Sequence, residues 1–387
     1  MAVVVQKYGG SSVADVERIG RVADRVAAAR RTGLDLCVVV SAMGDTTDEL
    51  LALAKKVSAA PPRRELDMLL SAGERISMAL LSMALQDRGV DAISFTGSQS
   101  GIITTDSHAS ARIVEVRPIR VHDELSRGRV VIVAGYQGVS IRKEVTTLGR
   151  GGSDTTAVAL AAALDADCEI YSDVAGVYTA DPRIVPSARR LDELSYEEMQ
   201  ELAQAGAKVL NAQAVEFARE KGIAIHARST FGSPEETVVR GGSRPERIAG
   251  VAVRKELALL AFPAARLGAV LAELEQAGAA AAEIARPADQ AGLTLSLEDV
   301  HGWPVLRERL RAAVPELSVA DEGVGAVSVV GTGLGAGRGV LDQVVGVLEQ
   351  LGAPPRALFT STLRVTACCD ARVLPEAART LHARLLG

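Results

Sequence analysis

The sequence predicts a layered α/β fold with a mostly parallel sheet, followed by two short strand–helix–strand units. Three observations lead there. Across residues 2 to about 227, short apolar runs alternate with helix-length runs carrying apolar residues at helical spacing. Two glycine-rich turns each follow an apolar run and open a helix. Residues are 48% hydrophobic but only 3% aromatic, so the core must be built from Ala, Val and Leu, which suits packed helices and buried parallel strands.

The elements follow in order. Ala2-Val3-Val4-Val5 reads as a buried strand, Lys7-Tyr8-Gly9-Gly10-Ser11-Ser12 as the turn after it, and 13–29 as a helix. Ligands of α/β sheets collect at the carboxyl ends of strands, so a lysine there beside two glycines points to phosphate. Taken alone, the same residues are equally a tight turn with a solvated lysine. Further strands are expected at 36–40, 92–95, 130–134, 169–172 and 223–226. A second turn, Thr147-Leu148-Gly149-Arg150-Gly151-Gly152-Ser153-Asp154-Thr155-Thr156, precedes an alanine-rich helix. Glycines let the backbone approach a bound group, and the free N–H groups of a helix start attract anions. Arg150 suits a carboxylate or phosphate, while Asp154 calls for a cation or an ammonium group.

Taken together, these turns and the motifs between them resemble the aspartate kinases of the amino-acid kinase superfamily, in order along most of the chain. The matching stretches are Lys7 to Ser12, Val38-Val39-Val40-Ser41-Ala42-Met43-Gly44-Asp45-Thr46-Thr47, Ser71-Ala72-Gly73-Glu74, Gly135-Tyr136-Gln137-Gly138, the loop 147–154, Ser172-Asp173-Val174-Ala175-Gly176-Val177-Tyr178-Thr179-Ala180-Asp181-Pro182-Arg183 and Gly206-Ala207-Lys208-Val209-Leu210. The resemblance implies a kinase domain over 1–240, a linker at 241–250 containing Gly241-Gly242-Ser243-Arg244-Pro245-Glu246, and a pair of small α+β ACT domains over 251–387. It also implies an ATP-dependent transfer of phosphate to the β-carboxylate of L-aspartate, with ATP and Mg²⁺ as cofactors and no protein metal ligands assigned.

Family positions give each residue an expected role. Lys7, Arg150 and Asp154 are catalytic. Thr47, Glu74, Arg150 and Ser153 bind the amino acid. Lys7, Gly9, Gly10, Ser11, Ser41, Ser172, Asp173, Tyr178, Arg183 and Lys208 bind ATP, with Gly152 nearby. The bland reading of Tyr178 is core packing, and that of Arg183 a solvated turn. A carboxylate is already ionised near neutral pH, its ordinary pKa being about 3.9, so no general base is needed. The five scattered histidines agree with that. Alternatives are a kinase of the same fold acting on another amino-acid carboxylate, or a non-catalytic amino-acid sensor; Lys7, Arg150 and Asp154 are all retained, which speaks against the sensor.

The tail departs from the family more than the kinase half does. Asn211-Ala212 stands where many relatives carry His-Pro, Ala264-Ala265-Arg266-Leu267-Gly268 where they carry Asp-Lys-Pro-Gly, and Gly337-Arg338-Gly339 lies where His-Pro-Gly is common. Effector control is therefore expected to be weak, with amino-acid effectors possible at the ACT domains and a homodimer joined through them. Val327 to Val330 leading into Gly331-Thr332-Gly333-Leu334-Gly335-Ala336 imitates a dinucleotide fingerprint, but too little chain follows to complete such a fold.

Charge and composition narrow the partners. A net charge of -5 argues against nucleic acid, which selects basic surfaces. No uninterrupted apolar run reaches the roughly 18 to 20 residues that span a bilayer, so no membrane partner is expected and the location is read as cytoplasmic. Cysteines 37, 168, 368 and 369 lack zinc-site spacing and read as buried thiols.

Overall fold

The computed structural model describes residues 2–149, 151–232, 234–242, 246–300, 302–334 and 338–387. The chain forms two compact units. The first comprises Met1–Val177, Arg190–Gln200 and Val209–Ser243, and the second Tyr178–Arg189, Glu201–Lys208 and Arg244–Gly387.

In the first unit the strands are β1 (Val3–Tyr8), β2 (Asp35–Val40), β3 (Ala92–Phe95), β4 (Ile102–Thr104), β5 (Ile113–Val116), β6 (Val130–Ala134), β7 (Gln137–Ser140), β8 (Val145–Thr147), β9 (Asp167–Ser172), β10 (Glu193–Leu194), β11 (Ile225–Ser229) and β12 (Glu236–Val239). Its helices are α1 (Val16–Arg31), α2 (Thr46–Val57), α3 (Arg63–Leu70), α4 (Ala72–Gln86), α5 (Ile119–Ser126), α6 (Gly152–Leu164), the start of α7 (Tyr196–Gln204) and α8 (Ala212–Lys221). The main sheet runs β10-β12-β11-β9-β1-β2-β6-β3, parallel throughout except between β11 and β12. A smaller sheet, β5-β4-β7-β8, lies beside the turns that follow β6 and β8.

Local chemistry accounts for most element boundaries. α1 starts where the Asp15 side chain accepts from Arg18 N at 2.8 Å. α7 starts with a reciprocal pair in which Ser195 N donates to Glu198 and Glu198 N donates to Ser195 Oγ. α6 is buried nearly all round, as its Ala, Val and Leu content requires of a helix inside a layered fold. Lys7 and Tyr8 lie inside β1, not in the turn after it, opposite Val39 and Val40 of β2 and Ile170 and Tyr171 of β9. A central strand with ladders on both sides extends past the point where residue type alone would end it.

The helical stretch Arg63–Gln86 is long and apolar enough by composition to cross a bilayer, although no uninterrupted apolar run reveals it. Half of its most apolar part is buried in the protein, and Asp67 and Glu74 of the same stretch are buried too.

The second unit contains β13 (Ile248–Arg254), β14 (Leu257–Pro263), β15 (Ala281–Ala285), β16 (Gln290–Ser296), β17 (Ser318–Ala320), β18 (Val324–Gly331), β19 (Ala357–Thr360) and β20 (Arg364–Asp370), with α9 (Leu267–Ala277), α10 (Trp303–Ala313), α11 (Gly339–Gln350) and α12 (Leu374–Leu386). They make two antiparallel four-stranded sheets, β15-β16-β14-β17 and β13-β18-β20-β19. The expectation of two units in simple succession is corrected. β13 pairs forward with β18, so the first sheet is nested inside the chain span of the second. Strand periodicity reports which face is buried, not which strand lies alongside. Cys368 and Cys369 face opposite sides of β20 into separate clusters, and burial pushes their thiols up to about 12 and about 11. Ala180 and Val185 share a core with Val251, Val327 and Val344, and Val251 N donates to Thr179 O at 2.8 Å.

Candidate active site

Adjacent strands β9, β1, β2 and β6 are parallel, so their carboxyl ends open at one edge of the sheet. Backbone bonds stitch the emerging turns together. Gly9 N donates to Tyr171 O, Ser41 N to Tyr8 O, Gly44 N to Gly10 O and Gly135 N to Val40 O, at 3.0 to 3.3 Å. Gly10 has no alternative here: a side-chain carbon would sit 2.9 Å from Ala42 O.

Lys7 Nζ reaches 2.6 Å from Asp154 Oδ1, with the two side chains 12% and 10% exposed. The approach is an ion pair off the direct hydrogen-bond axis of that oxygen. A side-chain carbon on Gly9 would lie 3.4 Å from the same ammonium, so Lys7 sits directly under the glycine turn. Asp154 is in the first turn of α6, where the helix dipole favours a negative charge, and Asn211 N donates to its Oδ2 at 3.3 Å. Asn211 also caps α8 by accepting from Gln213 N and Ala214 N. Gly151, at φ +70°, leaves room for it; a side-chain carbon there would come 2.2 Å from the Asn211 amide.

Glu74 is 3% exposed near the start of α4. Its Oε1 accepts from Ala42 N at 3.1 Å, while Oε2 is buried with no partner. Burial pushes this carboxyl up to about 7, against the pull of the Glu74 and Ala42 N–H groups. An orphaned buried carboxylate oxygen is what an incoming ammonium group would satisfy. Ser153 is buried against Gly135, whereas Thr47, in the first turn of α2, and Ser41 are half-buried.

A cavity of about 300 Å³ brings together Ser11, Ser172 and Asp173 with Ser12, Arg18, Ser229, Phe231 and Gly232. Ser12 closes the matched Lys7 to Ser12 turn without an assigned role, and the last four were not singled out from sequence. The Ser229 to Gly232 turn follows β11, the neighbour of β9, so the rule that ligands sit at strand carboxyl ends was the available signal. Asp67 and Asn211 were also missed as site-building residues. Arg150 lies outside the described residues. Tyr178, Arg183 and Lys208 belong to the second unit, where Tyr178 is half-buried, Arg183 pairs with Asp181 at 2.8 Å and Lys208 with Glu298 at 2.9 Å.

The amino acid kinase family profile matches residues 2–229. The chain is 46% identical to an aspartokinase of Mycolicibacterium smegmatis, with 99% of this chain and 96% of that protein covered. The chain belongs to the aspartokinases of the amino acid kinase family. An aspartokinase of Corynebacterium glutamicum is 44% identical over the same shares of the two chains. Among solved structures, Escherichia coli aspartokinase III in complex with aspartate and ADP, its R-state, matches with TM-score 0.86 at 26% identity, covering both chains fully. The same enzyme with lysine and aspartate, its T-state, matches with TM-score 0.77. The aspartokinase likeness thus spans both units of this chain, and the Lys7, Glu74 and Asp154 constellation lies within the part matched by the family profile.

Proposed function

We infer that the aspartokinase reaction of this chain, transfer of the γ-phosphate of ATP to the β-carboxylate of L-aspartate, runs on Lys7, Asp154, Glu74, Ser153, Thr47 and Arg150. The observation that carries the assignment is the Lys7–Asp154 pair, held at 2.6 Å beneath the Gly9-Gly10 turn. The difficulty in this reaction is bringing an anionic nucleophile to an anionic phosphate, and positioned cations and N–H donors lower that barrier. Lys7 neutralises the phosphoryl group in transit, with Asp154 fixing the direction of its ammonium. Backbone N–H groups of Gly10 and Ser11 cradle the phosphates, whereas the Gly9 N–H is given to Tyr171 O and Gly9 serves by leaving room above Lys7.

On the acceptor side Glu74 takes the α-ammonium, since its free oxygen has no other partner, and Arg150 takes the α-carboxylate. Ser153 and Thr47 complete the amino-acid pocket. Ser41, Ser172 and Asp173 are assigned to the nucleotide, as are Tyr178, Arg183 and Lys208 from the family pattern alone. Mg²⁺ carried on the ATP phosphates would supply further charge neutralisation. The tail sheets fit tandem ACT domains over 251–387, pairing two copies and receiving amino-acid effectors, in a cytoplasmic enzyme.

The test is aspartate-dependent ADP release with Mg²⁺ present, with the acyl phosphate trapped by hydroxylamine. Equal turnover on glutamate, or ADP release without a trapped acyl group, would overturn the substrate assignment.

A further inference from the structure

Asp67 is fully buried in α3, and no Lys or Arg reaches it among the described ion pairs. Instead it gathers donors from two other stretches of chain. Oδ1 accepts from Thr147 Oγ1 at 2.5 Å and from Ala109 N at 3.0 Å, and Oδ2 shares a hydrogen bond with His108 Nδ1 at 2.6 Å.

These donors fix both ends of one piece of architecture. Thr147 closes β8 and starts the loop 147–154. Its carbonyl accepts from Ala111 N, and Leu148 N donates to Tyr136 O, both at 2.9 Å. Five residues after Leu148 come Ser153 and then Asp154. On the other side, Asp67 precedes Glu74 by seven residues across the Ser71 bend, and Ser71 O accepts from Gln137 Nε2 at 2.9 Å. Asp67 therefore ties the stem of the loop bearing Arg150, Ser153 and Asp154 to the helix pair bearing Glu74.

Burying a carboxylate is costly, and apolar residues of similar volume would hold two loops together at lower cost. What an apolar contact lacks is direction. Three hydrogen-bonding partners arriving at fixed angles hold the loop stem in one register, and small displacements of positioning groups weigh heavily on substrate alignment. We propose that Asp67 is a positioning residue for the amino-acid substrate, setting the register between Glu74 and the 147–154 loop through Thr147, His108 and Ala109. This rests on the assignment of those two elements to aspartate.

The experiment compares Asp67→Asn, Thr147→Val, Thr147→Ser and Glu74→Gln by steady-state kinetics with each substrate varied, beside melting curves with and without ADP. Asp67→Asn and Thr147→Val should raise the KM for aspartate about tenfold or more. KM for ATP and the ADP-induced melting shift should hardly move, and Thr147→Ser, which keeps the hydroxyl, should restore the aspartate KM. A purely structural role would instead lower stability and leave the ratio of the two KM values unchanged, which overturns the proposal. Thr147→Val decides the matter in the same way if Asp67→Asn does not fold. Glu74→Gln separates the two layers of inference. A raised aspartate KM there with unchanged values in folded Asp67→Asn and Thr147→Val sinks the positioning role alone. An unchanged aspartate KM in Glu74→Gln sinks the substrate assignment and this role with it.

Discussion

The two units differ in what they bury. Among the described residues every buried carboxylate, namely Asp67, Glu74, Glu124, Asp154 and Glu198, lies in the first unit. The second unit buries hydroxyls and one histidine: Thr179, Thr294, Ser296, Ser328, Thr366 and His382. Its polar core is made of pairs such as Ser328 Oγ with Thr366 Oγ1 at 2.8 Å across neighbouring strands, and Thr179 Oγ1 with His382 Nε2 at 2.8 Å. Hydroxyl pairs satisfy each other cheaply, whereas a buried charge needs partners or it destabilises the fold. Charge kept inside a core at such cost marks where a protein handles charge. By that measure the chemistry is concentrated in the first unit, and the tail is built to pack.

The sharpest way to break this contrast is Lys7→Ala. If the Lys7 ammonium meets charge that develops during transfer, turnover should fall about 10²-fold or more, with a smaller change in the KM for ATP. Near-normal turnover would remove Lys7 from the reaction and leave its ion pair with Asp154 merely structural.

Glu74→Gln should act next most strongly, and in two opposed directions. Losing a charged partner for the substrate ammonium should raise the aspartate KM about ten- to a hundredfold. Stability should move the other way. Burial lifts the Glu74 carboxyl from 4.5 to about 7, so the folded chain holds a proton there that the unfolded chain releases. Its stabilising contribution is present below the ordinary pKa and is lost as pH rises through about 7. Glutamine avoids that loss, so the variant should melt higher than the parent at about pH 8, by at most about 3 kcal/mol, and match it at low pH. In the parent, kcat/KM for aspartate should fall as pH drops below about 7, a limb the glutamine variant lacks. A variant that melts lower at high pH would contradict the burial argument.

Asn211→Ala probes the packing that supports the charge. The loss of its cap on α8 should cost about 1 kcal/mol. Asn211 supports Asp154 by a backbone bond, which the variant keeps, so turnover should fall less than in Lys7→Ala. If turnover instead collapsed as far as in Lys7→Ala, Asn211 would have to be counted with the reacting groups.

How far the sequence disclosed this arrangement follows from range. The glycine turns, Lys7 and the 147–154 loop are contiguous motifs whose backbone demands show in residue type, so they were readable together with the layered α/β class. Asp67 was not, because nothing around it in sequence names its partners, which come from 41 and 80 residues downstream. Asn211 was noticed as a departure from the family and read as a loop variant, since its bond to Asp154 spans 57 residues. The forward pairing of β13 with β18 was invisible for the same reason: local pattern fixes burial, and long-range partners are chosen by the assembled core. Tyr178 and Arg183 lie inside the matched Ser172 to Arg183 motif, yet their segment, Tyr178–Arg189, is part of the second unit, which no composition change announces.

The smallest expected effect concerns control. A free amino-acid effector brings a carboxylate and an ammonium, and each needs a partner once it leaves water. Where relatives carry Asp-Lys-Pro-Gly, this chain has a short turn, Ala264–Arg266, leading into α9, so an acid that would meet the ammonium is replaced by alanine. Charged side chains of the second unit are largely spent on each other, at the surface in Arg372 with Asp370 and Arg338 with Asp342, and away from it in Arg364 with Glu201 and Glu283 and Arg307 with Asp321. An effector shifts an equilibrium only by its differential affinity for the two states, and a site with few charged partners offers little to differ. Lysine, threonine or both at millimolar concentration should therefore inhibit this enzyme only slightly. The measurement is a titration of each, and of the pair, at subsaturating aspartate. Half-inhibition at or below about 1 mM, an affinity near 4 kcal/mol, would show that the tail holds a zwitterion after all, and would move the boundary between the charge-handling and packing halves of the molecule.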